Sequence, residues 1–312
     1  MRGFFSRREQ AFFPGAMRVV SCRYTHRPTL STSSYLTRFD VTVQYPNGKR
    51  VHHVRGNTVD QQTSAIFRRL AQTKHVFRSP RPLDYLTPPG YILYEETSGS
   101  TLRQLAFTSS RWPAIAESIG GSLAAFHCTP ARGLRQLHWR QEVDFLRTCH
   151  AAIVRRSPSR RTWATRVITV LQTHERLAWS RQPGLTHKDF QASNIILGSA
   201  IGIIDFTLSG VGPTAFDLGT FVTHLAVMCH GRVAESRVQH WRERFLQGYA
   251  KSIGAVSWRK TAADVPIFEL RSAIDILSIT LQTLGEDNNP GRAYCQLLTK
   301  RIDVLVKLLT QS

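Results

Sequence analysis

Two stretches of the chain carry residue types at spacings that can do chemistry: Thr186 to Asn194, reading THKDFQASN, and Ile203 to Phe206, reading IIDF. In pattern form they are H-x-D-x-x-x-x-N, followed by an Asp at the end of a short apolar run. Phosphoryl transfer calls for this set. One carboxylate must orient the attacking hydroxyl and accept its proton. A second carboxylate and an amide oxygen must hold Mg2+ against the phosphates. Four residues separate Asp189 from Asn194, so a tight loop can direct both side chains into one site. Two apolar runs, 195–197 and 201–204, fit a small hairpin that returns the chain so that Asp205 faces them. Taken singly, each residue reads as a turn or cap. Together they point to a catalytic site.

The flanking sequence indicates the elements that position these residues. From Arg18 to about Tyr94 the pattern is mostly β. Phe39 to Tyr45 alternates apolar and polar residues, as a half-buried strand does. Asn47-Gly48 supplies a turn and residues 50–55 the returning strand. Asp60 to Ala71 reads as a helix with Ile66, Phe67 and Leu70 on its apolar side. Tyr91 to Tyr94 is a short strand running into EETSGS, a polar hinge. Beyond residue 100 the chain is helical. Trp112, Ile115, Ile119, Leu123 and Phe126 form one buried face. Further helices are expected at 163–179, 214–230, 236–252, 267–284 and 293–309. Residues 155–161, RRSPSRR, read as a basic, solvated loop. The domain reading is therefore a flexible tail over 1–17, an N-terminal nucleotide-binding lobe over 18–96, and a C-terminal catalytic and substrate-binding lobe over 97–312. A cleft between two such lobes is a usual place for a ligand.

The motifs THKDFQASNIIL, IGIIDF and GPTAFDLGTF resemble those of the aminoglycoside phosphotransferase-like family, which is related to choline kinases and more distantly to protein kinases. YILYEETSGSTL is similar to the family's hinge. AESIGGSLAAFH resembles its helix ending in Leu-His, and FLQGY a helix of its C-terminal lobe. The resemblance runs from roughly Arg18 to Tyr249. It implies an α+β, two-lobed protein-kinase-like fold with a small β-rich N-terminal lobe and a larger, mainly helical C-terminal lobe. It also implies an ATP- and Mg2+-dependent phosphotransferase that moves the γ-phosphate to a small-molecule hydroxyl. By that resemblance Asp189 is the catalytic base, or orients the acceptor hydroxyl. Asn194 and Asp205 hold Mg2+. His187 and Asp217 brace the loop, and Glu95 and Glu96 stand at the nucleotide.

The chain departs from the family at several positions. Lys188 stands where the family usually has Gly. The returning strand, VHHVR over 51–55, has no Lys for the α/β-phosphates, so Arg55 is the substitute; it keeps the charge with a different geometry. No helical Glu is placed to pair with it, and no GxGxxG is present. A Ser/Thr-rich loop over 31–34, with Ser33 and Ser34 as candidates, is expected to cover the phosphates instead. These departures keep open a catalytically degenerate pseudokinase or nucleotide-binding regulator.

Composition bears on the substrate. The 312 residues hold 41 Lys and Arg against 21 Asp and Glu, a net charge of +20, and 34 of the basic residues are Arg. This excess disfavours a polycationic acceptor and favours a neutral or anionic hydroxylated one. It also admits a rival class, a basic nucleic-acid or anionic-surface binder on a kinase-like scaffold, to which residues 155–161, Arg68, Arg69, Arg78 and Arg81 would contribute. No interleaved aromatic–basic stripe supports that rival. The five cysteines are dispersed and contain no CxxC pair, which fits a reducing cytoplasm. No run approaches the length needed to span a bilayer.

Overall fold

The computed structural model describes residues 2–26, 36–87, 90–181 and 183–311. The chain divides into two units, 1–99 with 198–207, and 100–197 with 208–312. Residues 198–207, placed by sequence in the second lobe, group with the first.

In the first unit, alternating side chains build a five-stranded antiparallel sheet. Its strands are β1 (Arg18–His26), β2 (Leu36–Tyr45), β3 (Gly48–Thr58), β4 (Arg81–Leu86) and β5 (Tyr91–Glu95), in the order β1-β2-β3-β5-β4. Pro46 and Asn47 turn the chain between β2 and β3, and Gly48 takes φ 127° there, a backbone state that favours glycine. Phe39, Val41 and Val43 point to one face and are buried, as the period of two requires.

That face is covered by the segment expected as a flexible tail, which is instead folded. Two short helices, α1 (Arg2–Ser6) and α2 (Glu9–Phe12), bring Phe5, Phe12 and Phe13 into one core with Phe39, Val41, Val43, Val54 and Leu93. Helices this short do not hold in water by themselves; the buried aromatic rings hold them. α3 (Gln61–Gln72) begins at Asp60, whose side chain accepts from the Thr63 amide at 2.6 Å, a helix N-cap. Its Phe67 stacks on Tyr94 at 5.3 Å and meets Phe206 edge-on at 5.2 Å. A short strand from the later sequence, β9 in chain order (Ile201–Ile203), completes this unit.

The second unit is mainly helical. α4 (Trp112–His127) and α8 (Glu235–Ile253) cross with almost no space between their backbones. A Cβ on Gly120 would lie 2.0 Å from the Phe245 carbonyl oxygen, and one on Gly248 would lie 2.0 Å from that of Glu117. Trp112 and Trp241 stack at 4.4 Å beside this crossing. α5 (Trp139–Arg156), α6 (Arg161–Ala178), α7 (Ala215–Cys229), α9 (Ala255–Thr283) and α10 (Asn289–Gln311) make up the rest of the bundle. α5 carries no strong sequence signal; its buried Leu146, Cys149 and Ile153 are set among charged residues.

The basic loop expected over 155–161 is not a loop. α5 runs to Arg156, a single 3-10 turn covers Pro158–Arg160, and α6 begins at Arg161. Arg160 donates to Glu286 at 2.5 Å and to Thr299 at 2.8 Å, so it ties this corner to the loop before α10 and to the middle of that helix.

Two short strand pairs frame the motif. β7 (Pro183–Thr186) pairs antiparallel with β10 (Gly210–Pro213), and β6 (Ser100–Thr101) with β8 (Ile195–Leu197). Residues 187–194 are thus suspended between β7 and β8. All five cysteines are free, and burial pushes the Cys149 and Cys229 thiols up to about 11, which makes them inert core residues at neutral pH. Among the described residues, no helix is long and apolar enough to cross a membrane.

Candidate active site

The loop between β7 and β8 is held by its own amides and by one buried carboxylate. Asp189 accepts from Gln191 Nε2 at Oδ1 (2.7 Å) and from Asn194 Nδ2 at Oδ2 (2.8 Å). Asn194 Nδ2 also donates to the Asp189 carbonyl at 2.8 Å. The structure therefore brings the expected base and the expected amide ligand into direct contact. With its nitrogen donating to Asp189, Asn194 has only its amide oxygen to offer a cation.

Asp217, near the start of α7, is fully buried. Its Oδ2 accepts from the His187 amide at 2.6 Å and its Oδ1 from the Lys188 amide at 2.8 Å. His127, the last residue of α4, places Nε2 2.9 Å from Asp217 Oδ2 and Nδ1 2.8 Å from Tyr249 Oη. Tyr249, His127 and Asp217 thus form a chain from α8 through α4 to the loop backbone. His187 is itself buried against Phe126 and Phe190. Its Nδ1 lies 3.3 Å from the Asp189 amide, and its carbonyl accepts from Ser209 Oγ at 3.3 Å.

Lys188 adopts φ 68°, a strained state for any residue with a side chain. Its side chain explains how that state is held. Nζ donates to Glu142 Oε1 of α5 at 2.5 Å. Glu142 Oε2 accepts from Arg271 of α9, whose guanidinium lies over the rings of Phe145 and Phe216. Glu175 of α6 sits 3.2 Å from Arg271 Nε but without hydrogen-bond geometry; both its oxygens are buried without a partner. Burial pushes the Glu175 carboxyl up to about 7, against the pull of Arg271. Burial also raises the Asp275 carboxyl, with Arg271 opposing and the Asp189 charge adding to the rise. A buried ionic cluster thus lies behind the loop, and none of its helical members stands out in the sequence.

The remaining candidates lie in the first unit. Arg55 donates through Nε to Glu96 at 2.5 Å, and Arg38 lies 3.4 Å from the same carboxylate. Glu96, the residue after β5, is thus the carboxylate that Arg55 meets. Glu95 is engaged by His52 at Oε1 and by Arg81 at Oε2. Arg55 pairs across the sheet with Tyr94, whose hydroxyl burial pushes up to about 12 while the charges of Arg55, Asp205 and Glu96 act on it. Asp205 follows β9 at φ 65°, and its Oδ1 accepts from Thr207 Oγ1 at 2.8 Å. Ser33 and Ser34 lie outside the described residues. In the second unit, Glu286 accepts from Arg160 at 2.5 Å and from Ser157 at 3.3 Å.

Residues 55–262 match the phosphotransferase enzyme family, and the chain belongs to it. Solved structures agree on the fold, which is two-lobed and protein-kinase-like. A choline kinase from Cryptosporidium parvum Iowa II is 12% identical at TM-score 0.64, over 98% of this chain and 96% of that one. A thermostable mutant of aminoglycoside phosphotransferase APH(4)-Ia is 15% identical at TM-score 0.59, over 93% and 95%. An amicoumacin kinase is 13% identical at TM-score 0.60, over 91% and 88%. No curated protein matches the chain.

Proposed function

We propose that this protein is an ATP-dependent kinase that phosphorylates a hydroxyl of a small molecule. The observation that carries the reading is the Asp189 carboxylate, fixed at one oxygen by Gln191 and at the other by Asn194, on a loop whose backbone is pinned by buried Asp217. In the proposed step the acceptor oxygen bonds to the γ-phosphorus and the bond from that phosphorus to the β–γ bridging oxygen breaks. ADP departs, and the hydroxyl proton passes to Asp189. Such transfer depends mainly on positioning and charge stabilisation, and a carboxylate with both oxygens anchored is a positioned group.

Asn194 through its amide oxygen, and Asp205 through its carboxylate, would hold Mg2+. Two hard oxygen donors suit an ion that keeps waters and phosphate oxygens as its other ligands. When bound, the ion would neutralise charge on the transferring phosphates. Arg55 would meet the nucleotide phosphates, oriented by Glu96 as the helical carboxylate would orient a Lys. Support for the nucleotide comes from relatives solved with ADP and hygromycin B, with ADP and spectinomycin, and with AMP-PNP and Ca2+. The acceptor is proposed to be neutral or anionic.

A second reading, a nucleotide-binding protein without transfer activity, is favoured by Arg55 in place of the usual Lys. Residues 155–161, counted toward the nucleic-acid reading, are helix and a 3-10 turn, with Arg160 paired to Glu286. Thermal melting of the wild type with Mg-ATP, beside Asp205→Ala, tests the site. We expect stabilisation of the wild type that is lost without Mg2+ and strongly reduced in the variant. No stabilisation of either protein would remove the nucleotide site, and stabilisation without phosphate transfer would favour the second reading.

A further inference from the structure

The second unit contains a cavity of about 300 Å³ whose wall includes Gln191 and Ser193 of the loop, Phe107, His224, Tyr294 and two arginines, Arg103 and Arg232. This is the lower end of the range for small-molecule sites. Gln191 is the residue that donates to Asp189, so the cavity opens beside the proposed base.

The charge of the wall is one-sided. Its lining includes no Asp or Glu. Elsewhere in this unit, arginines meet carboxylates: Arg160 with Glu286, Arg181 with Asp264, Arg242 and Arg301 with Glu269. Among the described residues Arg103 and Arg232 have no such partner, and the Arg232 guanidinium instead lies 5.9 Å from the Phe107 ring centroid. His224 adds no positive charge near neutral pH, because burial pushes its imidazole down to about 4. The site therefore offers two unneutralised guanidinium groups, flat aromatic surface from Phe107 and Tyr294, and a hydrogen-bonding edge at Gln191 and Ser193. A cationic acceptor would meet repulsion from two arginines of a lining that itself includes no carboxylate. A carboxylate or phosphate would find planar, bidentate donors.

We propose that this cavity is the acceptor pocket and that Arg103 and Arg232 select a hydroxylated organic anion, with a flat or apolar portion against Phe107 and Tyr294. The inference rests on the kinase reading for its role and on the charge of the wall for its specificity.

The test is calorimetric binding of matched compounds to the full chain. The probes are phenyl glucoside, phenyl glucuronide and phenyl glucoside 6-phosphate, with glucosamine and choline as cations. We expect at least one anionic member to bind about tenfold or more tightly than phenyl glucoside, with the preference weakened by 0.5 M salt on the order expected from screening. Glucuronide against phosphate separates the two sources of negative charge. In the double variant Arg103→Gln/Arg232→Gln the preference should vanish with the melting temperature unchanged. The proposal is overturned if no anionic member binds more tightly than its neutral counterpart, if the cations bind best, or if the preference survives in the double variant. Transfer from Mg-ATP is followed in the same samples. Transfer confined to the cations would overturn the pocket and leave the kinase reading. Arginine-dependent anion binding with no Mg-AMP-PNP binding and no transfer would support the pocket and overturn the kinase reading.

Discussion

At the scale of single residues, the account turns on what holds Lys188 at φ 68°. Two effects oppose each other when it is replaced. Glycine would relieve backbone strain of about 1–2 kcal/mol, but it would leave Glu142 with Arg271 as its remaining partner in this cluster. Removing one partner of a buried charge typically costs about 3–5 kcal/mol. We therefore predict that Lys188→Gly lowers the melting temperature and that Lys188→Met lowers it further, because Met keeps the strain. The Lys188→Met, Glu142→Gln double variant should lose less than the sum of the single variants, which a double-mutant cycle measures. Additive losses would mean the pair does not hold the loop. Glu175 gives a pH prediction. Its carboxyl sits near 7 when folded and near 4.5 when the chain is unfolded. Between those values the folded chain binds a proton that the unfolded chain releases, so stability falls as pH rises through this window. Glu175→Gln cannot ionise and should gain relative stability from pH 5 to pH 8, by up to about 3 kcal/mol, read by denaturant unfolding. A constant difference across that range would show that Glu175 does not titrate there. Asp189, Asn194 and His187 could be proposed from the sequence because they lie within eight positions, and Asp205 and Asp217 because their motifs follow within about 30. Glu142, Glu175 and Arg271 could not be: they sit on three different helices, and Glu142 meets Lys188 and Arg271 across 46 and 129 positions. A charged residue on an amphipathic helix ordinarily reads as solvated.

At the scale of elements, the crossing of α4 and α8 sets the geometry of the loop. His127 ends α4 and Tyr249 lies on α8, so their contact, and through it the support of Asp217, depends on how closely the helices approach. Gly120 and Gly248 permit that approach, since a Cβ on either would overlap opposing backbone. Gly248→Ala should push the helices apart, cost on the order of 2–4 kcal/mol in stability, and impair activity at temperatures where the chain is still folded. A wild-type melting curve would show that the crossing is not tight. The sequence marked both helices, through IGGSLAAF and FLQGY, and five of the ten strands among the described residues, β2, β3, β5, β8 and β9, because hydrophobic periodicity is a local signal. It missed three things that only packing decides. The paired phenylalanines at 4–5 and 12–13 look like a tail until the sheet face they cover is known. α5 hides its buried stripe among four arginines and two acidic residues. Residues 155–161 look like a loop because Pro158 and a run of arginines are present, yet Pro is accepted in the first turn of the short 3-10 segment.

At the scale of the whole molecule, 41 Lys and Arg against 21 Asp and Glu leave a net charge of +20, an excess that pairing with carboxylates does not remove. Arginines such as Arg55, Arg160, Arg242, Arg271 and Arg301 are paired with carboxylates within their own units, whereas Arg103 and Arg232 face a cavity whose lining includes none. Family membership rests on the match over residues 55–262, and the fold on structures less than 16% identical, so the chemistry of this chain has to be tested on its own residues. The central claim is that Asp189 serves phosphoryl transfer from ATP to a hydroxyl. The most direct measurement is Mg-ATP-dependent phosphorylation of a panel of anionic, neutral and cationic hydroxylated acceptors by the wild type and by Asp189→Asn, with Mg-AMP-PNP binding measured on both. The account predicts transfer by the wild type, a fall in kcat of about 100-fold or more in the variant, and nucleotide binding retained by both. Equal turnover by the two proteins, or a wild type that neither binds nucleotide nor transfers phosphate, would contradict it.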